Sequence, residues 1–312
     1  MKVIFLGTPA FAVPVLHALN SDSDFTVVGV VTQNDKPQSR GMKMAQSEVA
    51  KYASSHNLPL YHFTSIRKEG VETLKSLNAD IMVTCAYGQL LSQEIIDICP
   101  CGIVNVHASL LPKYRGASPI RQAILDGEDR TGITLMFTSL GMDEGDMYYS
   151  ESLEIGEGEN YGSLCDRLSE LAAKIVVKIK NITPERVGAI KQDDSKATYC
   201  KKNKNNDAQL DFTLSAEQVV RVVRAYAPAP GTFFYYNDKL IKVFDACVVE
   251  GEGKPGEILK AKSKQGLVIM AGDKAVSILS LQNAGGKILN VKDYLNGNKL
   301  EVGDVVVFKG GE

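Results

Sequence analysis

The 312-residue sequence lacks the patterns that mark several common classes of protein. No apolar stretch approaches the roughly 20 residues of a membrane-spanning helix, so we expect no membrane partner. The six cysteines include no Cys-x-x-Cys pair and have no histidine at ligand spacing, which argues against a structural zinc site. The early Gly7–Pro9 turn lacks the Gly-x-Gly-x-x-Gly pattern of a dinucleotide site. We therefore expect an ordinary soluble, reduced, cytoplasmic protein. We also expect a monomer, although none of these patterns bears on the oligomeric state.

Charge is nearly balanced over the whole chain but differs between its parts. The formal net charge of −2 disfavours a nonspecific nucleic-acid-binding protein. Residues 1–200 carry 19 Lys and Arg against 24 Asp and Glu, whereas residues 201–312 carry 16 against 13. An RNA partner would therefore be expected to contact the C-terminal part and local basic loops.

Short apolar runs alternate with helical patterns over roughly the first 180 residues. Continuous apolar strands that alternate with helices are typical of an α/β fold, in which a mostly parallel sheet is covered on both faces. The predicted strands are Val3–Leu6, Thr26–Val31, Ile81–Ala86, Gly102–His107 and Thr131–Thr138, and helices are predicted near residues 10–20, 46–55, 68–77, 92–98 and 118–126.

A polar stretch rich in Asn and Lys separates this part from a region with another pattern. Ser215–Gln218 is a capping box that predicts the start of a helix, and short strands punctuated by glycine follow. We therefore expect a first domain over residues 1–189, a linker over 190–207 and a small β-barrel over 208–312. The strands predicted in the barrel are 232–236, 240–249, 256–262, 266–271, 275–282 and 304–309.

The predicted strand that ends at His107 carries the residues with the most evident chemistry. Asn105 and His107 point to the same face, because side chains alternate along a strand. An amide can donate to a developing oxyanion, and an imidazole can move a proton near neutral pH. The pair therefore suits acyl transfer, although a polar strand end with satisfied hydrogen bonds is the alternative. Gly7, Tyr87 and Asp143 are also expected at the carboxyl ends of strands, where parallel sheets bind ligands.

The segment Asn105–Ile120 resembles the signature of the formyltetrahydrofolate-dependent formyltransferases. In that family the Asn and His of the signature act with an Asp in a Gly-x-Asp-x-Gly-Asp setting, which stands here at Gly141–Asp146. Phe5–Pro9 and Ala86–Leu90 match the family as well. The C-terminal part resembles the OB-like barrel domain of the branch that acts on initiator methionyl-tRNA, at Asp211–Glu217, Arg224–Gly231, Leu281–Lys287 and Asp293–Asn298.

The resemblance covers nearly the whole chain and implies a Rossmann-like catalytic domain, an OB-like second domain and a reaction. A formyl group would move from 10-formyltetrahydrofolate to the amino group of methionine on initiator methionyl-tRNA. Asn105 would donate to the oxyanion, His107 would pair with it or move the amine's proton, and Asp143 would hold the imidazole. The folate-binding residues that the resemblance implies are Ser109, Leu110, Leu111, Pro112, Tyr87 and Gly88.

Asp143 and the folate segment also allow simpler interpretations. An Asp between glycines is commonly a turn residue, and Ser109–Pro112 could be a loop that ends at a proline. Asp143 and Asp146 could suggest a metal site, but no His or Cys accompanies them at ligand spacing, and the resembled family needs no metal. We therefore expect a site without a metal.

Two basic sets are candidates for contact with tRNA. The resemblance assigns the loop of residues 33–45, with Arg40 and Lys43, to the acceptor stem, whereas a solvated flexible loop is the alternative. Lys260, Lys262 and Lys264 alternate along a predicted strand, which would align them on one face. Such lysines either contact phosphates or protect an exposed edge strand from pairing.

Two other functions fit parts of the pattern. A formyltransferase for a small amine, such as a nucleotide amino sugar or glycinamide ribonucleotide, would share the Asn-His-Asp set but lack this C-terminal domain. An RNA-binding module with a vestigial first domain would not need Asn105, His107 and Asp143 intact. The sequence therefore favours the charged tRNA as the substrate.

Overall fold

The computed structural model describes residues 1–37 and 44–308, which form two compact units. The first unit comprises residues 1–119, 130–154 and 165–200, and the second comprises 120–129, 155–164 and 201–312. The predicted limits of the domains stay a prediction, since both units are discontinuous in sequence. Within the described residues, no helix combines the length and the apolar character needed to cross a membrane.

The first unit is built on a seven-stranded sheet. The strands are β1 (Lys2–Gly7), β2 (Thr26–Thr32), β3 (Lys36–Pro37), β4 (Met44–Ala45), β5 (Leu60–His62), β6 (Ile81–Cys85), β7 (Ile103–His107), β8 (Arg115–Gly116), β9 (Arg130–Phe137), β10 (Met147–Glu154) and β11 (Tyr199–Cys200). The sheet has the order β10-β9-β7-β6-β1-β2-β5 and is parallel from β7 to β5, while β9 and β10 run antiparallel to their neighbours. Short ladders join β3 to β4 and β8 to β11.

Helices connect most of these strands. They are α1 (Val13–Ser21), α2 (Glu48–Ser55), α3 (Ile66–Glu69), α4 (Val71–Ser76), α5 (Gln93–Ile96), α6 (Pro119–Asp126) and α7 (Tyr161–Val176), with 3-10 turns at Ala10–Ala12, Val177–Asn181 and Asp194–Lys196. The helix predicted near 68–77 is divided at Gly70, in keeping with the weak helix propensity of glycine. The five predicted strands are present, and β5 and β10 were not predicted.

The strand order places the ends of β1 and β6 at the centre of the sheet. From β1 the chain moves outward to β2 and β5, and it then returns to form β6 on the other side of β1. All of β6 is buried, as are all residues of β1 except Lys2, because both strands are covered on both faces. Ligands of such sheets bind in the crevice at this switch point, beside the carboxyl ends of the strands.

The part of the second unit after residue 200 is an antiparallel β domain with two α-helices. Its elements are α8 (Ala216–Tyr226), β12 (Thr232–Tyr236), β13 (Lys239–Val249), β14 (Ile258–Lys262), β15 (Gly266–Met270), β16 (Ala275–Asn283), β17 (Leu289–Asn290) and α9 (Val291–Gly297), with a 3-10 turn at Asn205–Ala208. The main sheet has the order β12-β13-β16-β15-β14, and β17 pairs with β16. A mostly parallel sheet followed by an antiparallel β domain confirms the predicted fold class. Up to Phe308 the strand predicted at 304–309 contains only an isolated bridge at Val305, so that prediction was wrong for the residues described.

The predicted start of α8 is confirmed in detail. The Ser215 hydroxyl accepts from the backbone N–H of Gln218, and the Gln218 side chain accepts from the N–H of Ser215. Asp273 accepts from the N–H of Ala216 and caps a second donor of the same turn. The backbone donors of Ala216 and Lys274 hold the pKa of Asp273 below its ordinary value.

Two segments that precede residue 200 belong to the second unit. The guanidinium of Arg121 lies between two aromatic rings, 4.7 Å from the ring centroid of Tyr161 and 4.4 Å from that of Tyr226. Its Nε donates to the carbonyl of Ala225 at 2.8 Å, and Arg224 Nε donates to the carbonyl of Glu159 at 2.8 Å. Cation–π contacts and hydrogen bonds therefore attach residues 120–129 and 155–164 to α8.

Candidate active site

The three predicted catalytic residues lie together at the carboxyl end of β7. Asn105 and His107 point to one face of the strand, and Asp143 lies in the loop after β9, which pairs with β7. The Asn105 amide nitrogen donates to Asp143 Oδ1 at 3.4 Å, and His107 Nδ1 lies 3.6 Å from Asp143 Oδ2. His107 is 5% exposed and Asp143 is 18% exposed, so the group is largely shielded but reachable from solvent.

The orientation of the Asn105 amide is fixed from the neighbouring strand. Thr84 on β6 pairs with Asn105, and its hydroxyl donates to Asn105 Oδ1 at 2.9 Å. Because the amide oxygen is held there, the NH2 group must face Asp143. The contact with Asp143 uses one of its two N–H groups, and the other can be offered to an oxyanion.

Both nitrogens of His107 have oxygen neighbours. Nε2 lies 2.9 Å from the carbonyl oxygen of Tyr114, which can only accept, so Nε2 carries a proton. In the neutral imidazole, Nδ1 is then unprotonated and directed at Asp143. A proton taken up at Nδ1 would lie between the imidazole and the carboxylate, so the pair can accept a proton during a reaction.

Asp143 is held through its side chain and its backbone. Oδ2 accepts from the N–H of Gly116 at 2.8 Å, and the backbone φ of +53° lies in the left-handed region, which is unusual for a residue with a side chain. The Gln192 amide donates to the carbonyls of Asp143 at 2.8 Å and of Gly145 at 2.7 Å. The loop that carries the carboxylate is therefore fixed from two directions.

A buried arginine supports Gln192. Arg115 is 1% exposed, and its Nε donates to Gln192 Oε1 at 3.0 Å. Its terminal nitrogens donate to Asp194 at 2.7 Å and to the Tyr199 hydroxyl at 3.3 Å. Burial acts to lower the pKa of Arg115, but these hydrogen bonds outweigh it and raise the pKa, so the group is a fixed cation.

Sequence reasoning missed these supporting residues. The contacts of Tyr114 and Gly116 are made by backbone atoms, so the type of residue at these positions does not indicate them. Thr84 could have been found, because it stands at the end of a predicted strand next to that of Asn105. Gln192 and Asp194 fall in the stretch that composition assigned to a linker.

The segment Ser109–Pro112 forms a fixed turn after β7. Ser109 is fully buried, its hydroxyl donates to the Lys113 carbonyl at 2.6 Å, and its carbonyl accepts from the Thr134 hydroxyl at 2.7 Å. Leu111 is 7% exposed, whereas Leu110 and Pro112 are partly accessible. Of the four predicted folate residues in this segment, Leu110 and Pro112 are therefore the two with accessible surface for a ligand.

Tyr87 and Gly88 follow β6, and Gly88 lines a cavity of about 430 Å³. Tyr87 is 4% exposed, and burial raises its pKa to about 12. Its carbonyl accepts from Thr8 Oγ1 at 3.0 Å and from Gln33 Nε2 at 2.8 Å, which holds the loop on the ends of β1 and β2. The cavity is lined by Gln33, Asn34, Asp35, Phe63, Thr64, Ser65, Arg67, Gly88, Gln89 and Leu90.

The predicted tRNA contacts are only partly within the described residues. Arg40 and Lys43 lie outside them. Lys260 and Lys262 are exposed at alternate positions of β14, which is an edge strand, and Lys264 is exposed in the following turn. In the part of the chain that the structure covers, no group of three or more His, Cys, Asp or Glu side chains is placed to hold a metal ion.

Both parts of the chain match known families. A family model described as formyl transferase matches residues 1–179, and one described as formyl transferase, C-terminal domain, matches residues 202–299. A methionyl-tRNA formyltransferase from Alkaliphilus oremlandii (strain OhILAs) is 40% identical over 310 residues, or 98% of this chain and 99% of its own. One from Staphylococcus epidermidis (strain ATCC 35984) is 37% identical and covers 95% of this chain and 96% of its own.

Solved structures with low identity share the fold. HypX from Aquifex aeolicus, solved with tetrahydrofolic acid, superposes with a TM-score of 0.62 at 17% identity. The match covers 99% of this chain and 51% of HypX, so this chain spans about half of that protein. An N-formyltransferase from Helicobacter canadensis, solved with folinic acid and dTDP-3-aminofucose, gives a TM-score of 0.66 at 15% identity, over 91% of this chain and 99% of its own.

Proposed function

The chain belongs to the formyl transferase family, and on this basis we propose the reaction that it catalyses. It transfers the formyl group of 10-formyltetrahydrofolate to the amino group of methionine on initiator methionyl-tRNA, in translation initiation. The observation that carries this function is the convergence of Asn105, His107 and Asp143 at the carboxyl end of β7, together with a C-terminal domain of the same family.

The geometry supports a role for each residue in the transfer. The amine nitrogen attacks the formyl carbon, and the carbonyl oxygen becomes an oxyanion that accepts from the second N–H of Asn105. The proton lost by the amine passes to the pair formed by His107 Nδ1 and Asp143 Oδ2. The bond from carbon to N10 then breaks, N10 receives a proton, and tetrahydrofolate leaves.

Folate is placed by the turn after β7 and the loop after β6. Leu110 and Pro112 offer apolar surface for the flat pterin, while Ser109 and Leu111 shape the turn from within. Gly88 is proposed to contact folate because it lines the neighbouring cavity, and the buried Tyr87 is proposed to shape the loop after β6.

The tRNA is proposed to contact basic groups of both parts of the chain. Arg40 and Lys43 are proposed to contact the acceptor stem, and Lys260, Lys262 and Lys264 to contact backbone phosphates. Identity of 40% over 98% of the chain to a methionyl-tRNA formyltransferase favours the charged tRNA over a small amine as the acceptor. A protein with this substrate acts in the compartment of translation, which we take to be the cytoplasm, and we propose that it acts as a monomer.

The function is tested by incubating the protein with 10-formyltetrahydrofolate and charged initiator tRNA. Formylmethionyl-tRNA should form, whereas uncharged tRNA and free methionine should not accept the group. Asn105→Ala should lower turnover about a hundredfold or more, because it removes an oxyanion donor, while tRNA affinity stays nearly unchanged. Formylation of free methionine at the same rate, or full activity of Asn105→Ala, would contradict the proposal.

A further inference from the structure

We propose that Gln192 is a positioning residue for the transfer, acting through the backbone of Asp143. This rests on the proposed function, and it extends the site to a residue that does not touch either substrate. The two N–H groups of its amide donate to the carbonyls of Asp143 and Gly145, at 2.8 and 2.7 Å. One side chain therefore holds the backbone at Asp143 and two residues beyond it.

The backbone of Asp143 needs such support. A φ of +53° is costly for a residue with a Cβ atom and persists only where the surroundings fix it. Gly145 approaches the Phe137 carbonyl so closely that no side chain would fit, so the loop has little freedom on that side as well. If the loop relaxed, Asp143 Oδ2 would lose the alignment that lets it accept from Gly116 and face His107.

The environment of Gln192 selects an amide over a carboxylate. Its oxygen accepts from Arg115 Nε at 3.0 Å, so its nitrogen must face the two carbonyl oxygens. Gln192 is 4% exposed, and these three contacts satisfy both N–H groups and the oxygen. Glutamate has the same shape and would keep the contact with Arg115, but it would place an acceptor against two acceptors.

Gln192→Glu therefore separates positioning from simple packing. We expect kcat to fall about tenfold or more, because a displaced catalytic group costs rate even where binding survives. KM for charged tRNA and the affinity for a folate analogue should stay within about threefold, since no substrate contact is lost. Gln265→Glu, the same exchange at an exposed turn, is the matched control and should retain kcat at saturating tRNA, where its position beside Lys264 has no effect on the rate.

A double-mutant cycle with Asp143→Asn identifies the residue through which Gln192 acts. Once Asp143 is impaired, Gln192→Glu should lower kcat little further, because both changes remove the same alignment. Full additivity, or a loss that tracks KM or the fraction of folded protein, would overturn the inference. Should Gln192→Glu fail to fold, the shorter amide Gln192→Asn replaces it, with the same expected split between kcat and KM.

Activity of the wild-type protein distinguishes failure of the proposed function from failure of the proposed role of Gln192. If it does not formylate charged tRNA at all, the proposed function fails. If it does so, and Gln192→Glu shows unchanged kcat, the reaction stands and the positioning role of Gln192 is wrong.

Discussion

At the scale of single residues, the amide of Asn105 depends on one hydroxyl group. Thr84→Val keeps the shape of the side chain but removes the donor to Asn105 Oδ1, so the amide can turn its oxygen toward the site. We expect single-turnover formylation to slow about tenfold, with little change in tRNA affinity. Thr84→Ser, which keeps the hydroxyl, should retain most of the rate, and equal rates for Val and Ser would contradict this account.

The cysteines differ in their predicted reactivity toward thiol reagents. Burial and the nearby Asp80 raise the pKa of Cys99 to about 12, and burial likewise raises the pKa of Cys85 and Cys101. Cys247 on β13 is exposed. Because the thiolate is the reactive form, a thiol reagent at pH 8 should modify Cys247 first and leave these three protected.

Mass spectrometry of the native protein locates the modified thiols. Cys247→Ser should abolish the fast phase, and unfolding should make all six thiols reactive. Rapid modification of Cys85, Cys99 or Cys101 in the native protein would show that the first unit opens more readily than its burial suggests.

At the scale of helices and strands, the stability that Asp273 gives to the start of α8 should depend on pH. The pKa of Asp273 is lowered in the folded protein, so its stabilising effect is present above its unfolded value near 4 and is lost as pH falls through the folded value. The difference in unfolding free energy between wild type and Asp273→Asn should therefore be largest at neutral pH and shrink below about pH 4. Denaturant titrations at several pH values measure it, and a constant difference would contradict the capping role.

The exposed edge strand β14 carries the proposed phosphate contacts. Changing Lys260, Lys262 or Lys264 to Gln should weaken tRNA binding and lower the slope of log affinity against log salt by somewhat under one unit each. Lys239 is an exposed lysine of β13 in the same sheet, and Lys239→Gln serves as the control for the salt slope. An unchanged salt slope in the triple variant would leave the β14 lysines as protection of the strand edge.

Strands with a continuous apolar sequence were predictable, while short or exposed strands, which are recognisable only from their pairing in the sheet, were not. β6 and β7 are apolar enough to identify their positions, and alternation alone placed Asn105 and His107 on one face. β10 was missed because it is an edge strand with no buried residue among its eight, and β5 has only three residues. The positive φ of Asp143 follows from tertiary contacts, so local sequence could not predict it.

At the scale of the whole molecule, residues 190–200 contribute to the first unit. β11 pairs with β8, and Gln192 supports the loop of Asp143. A fragment of residues 1–200 should therefore bind a folate analogue more tightly and unfold at a higher temperature than a fragment of residues 1–189. Calorimetry and thermal melting of the two fragments test this, and equal behaviour would mean that the added segment contributes nothing to the site.

The attachment of residues 120–129 and 155–164 to α8 limits where the chain can be joined to a relative in a chimeric protein. A gene fusion that exchanged everything after residue 200 would place a foreign α8 beside Arg121, and the cation–π contact would be lost if that helix had no aromatic ring at the position of Tyr226. Exchange of the second unit is therefore best made by replacing residues 120–129, 155–164 and 201–312 together. Chimeras between relatives should tolerate a junction at residue 200 only when the parents agree at Arg121, Tyr161 and Tyr226.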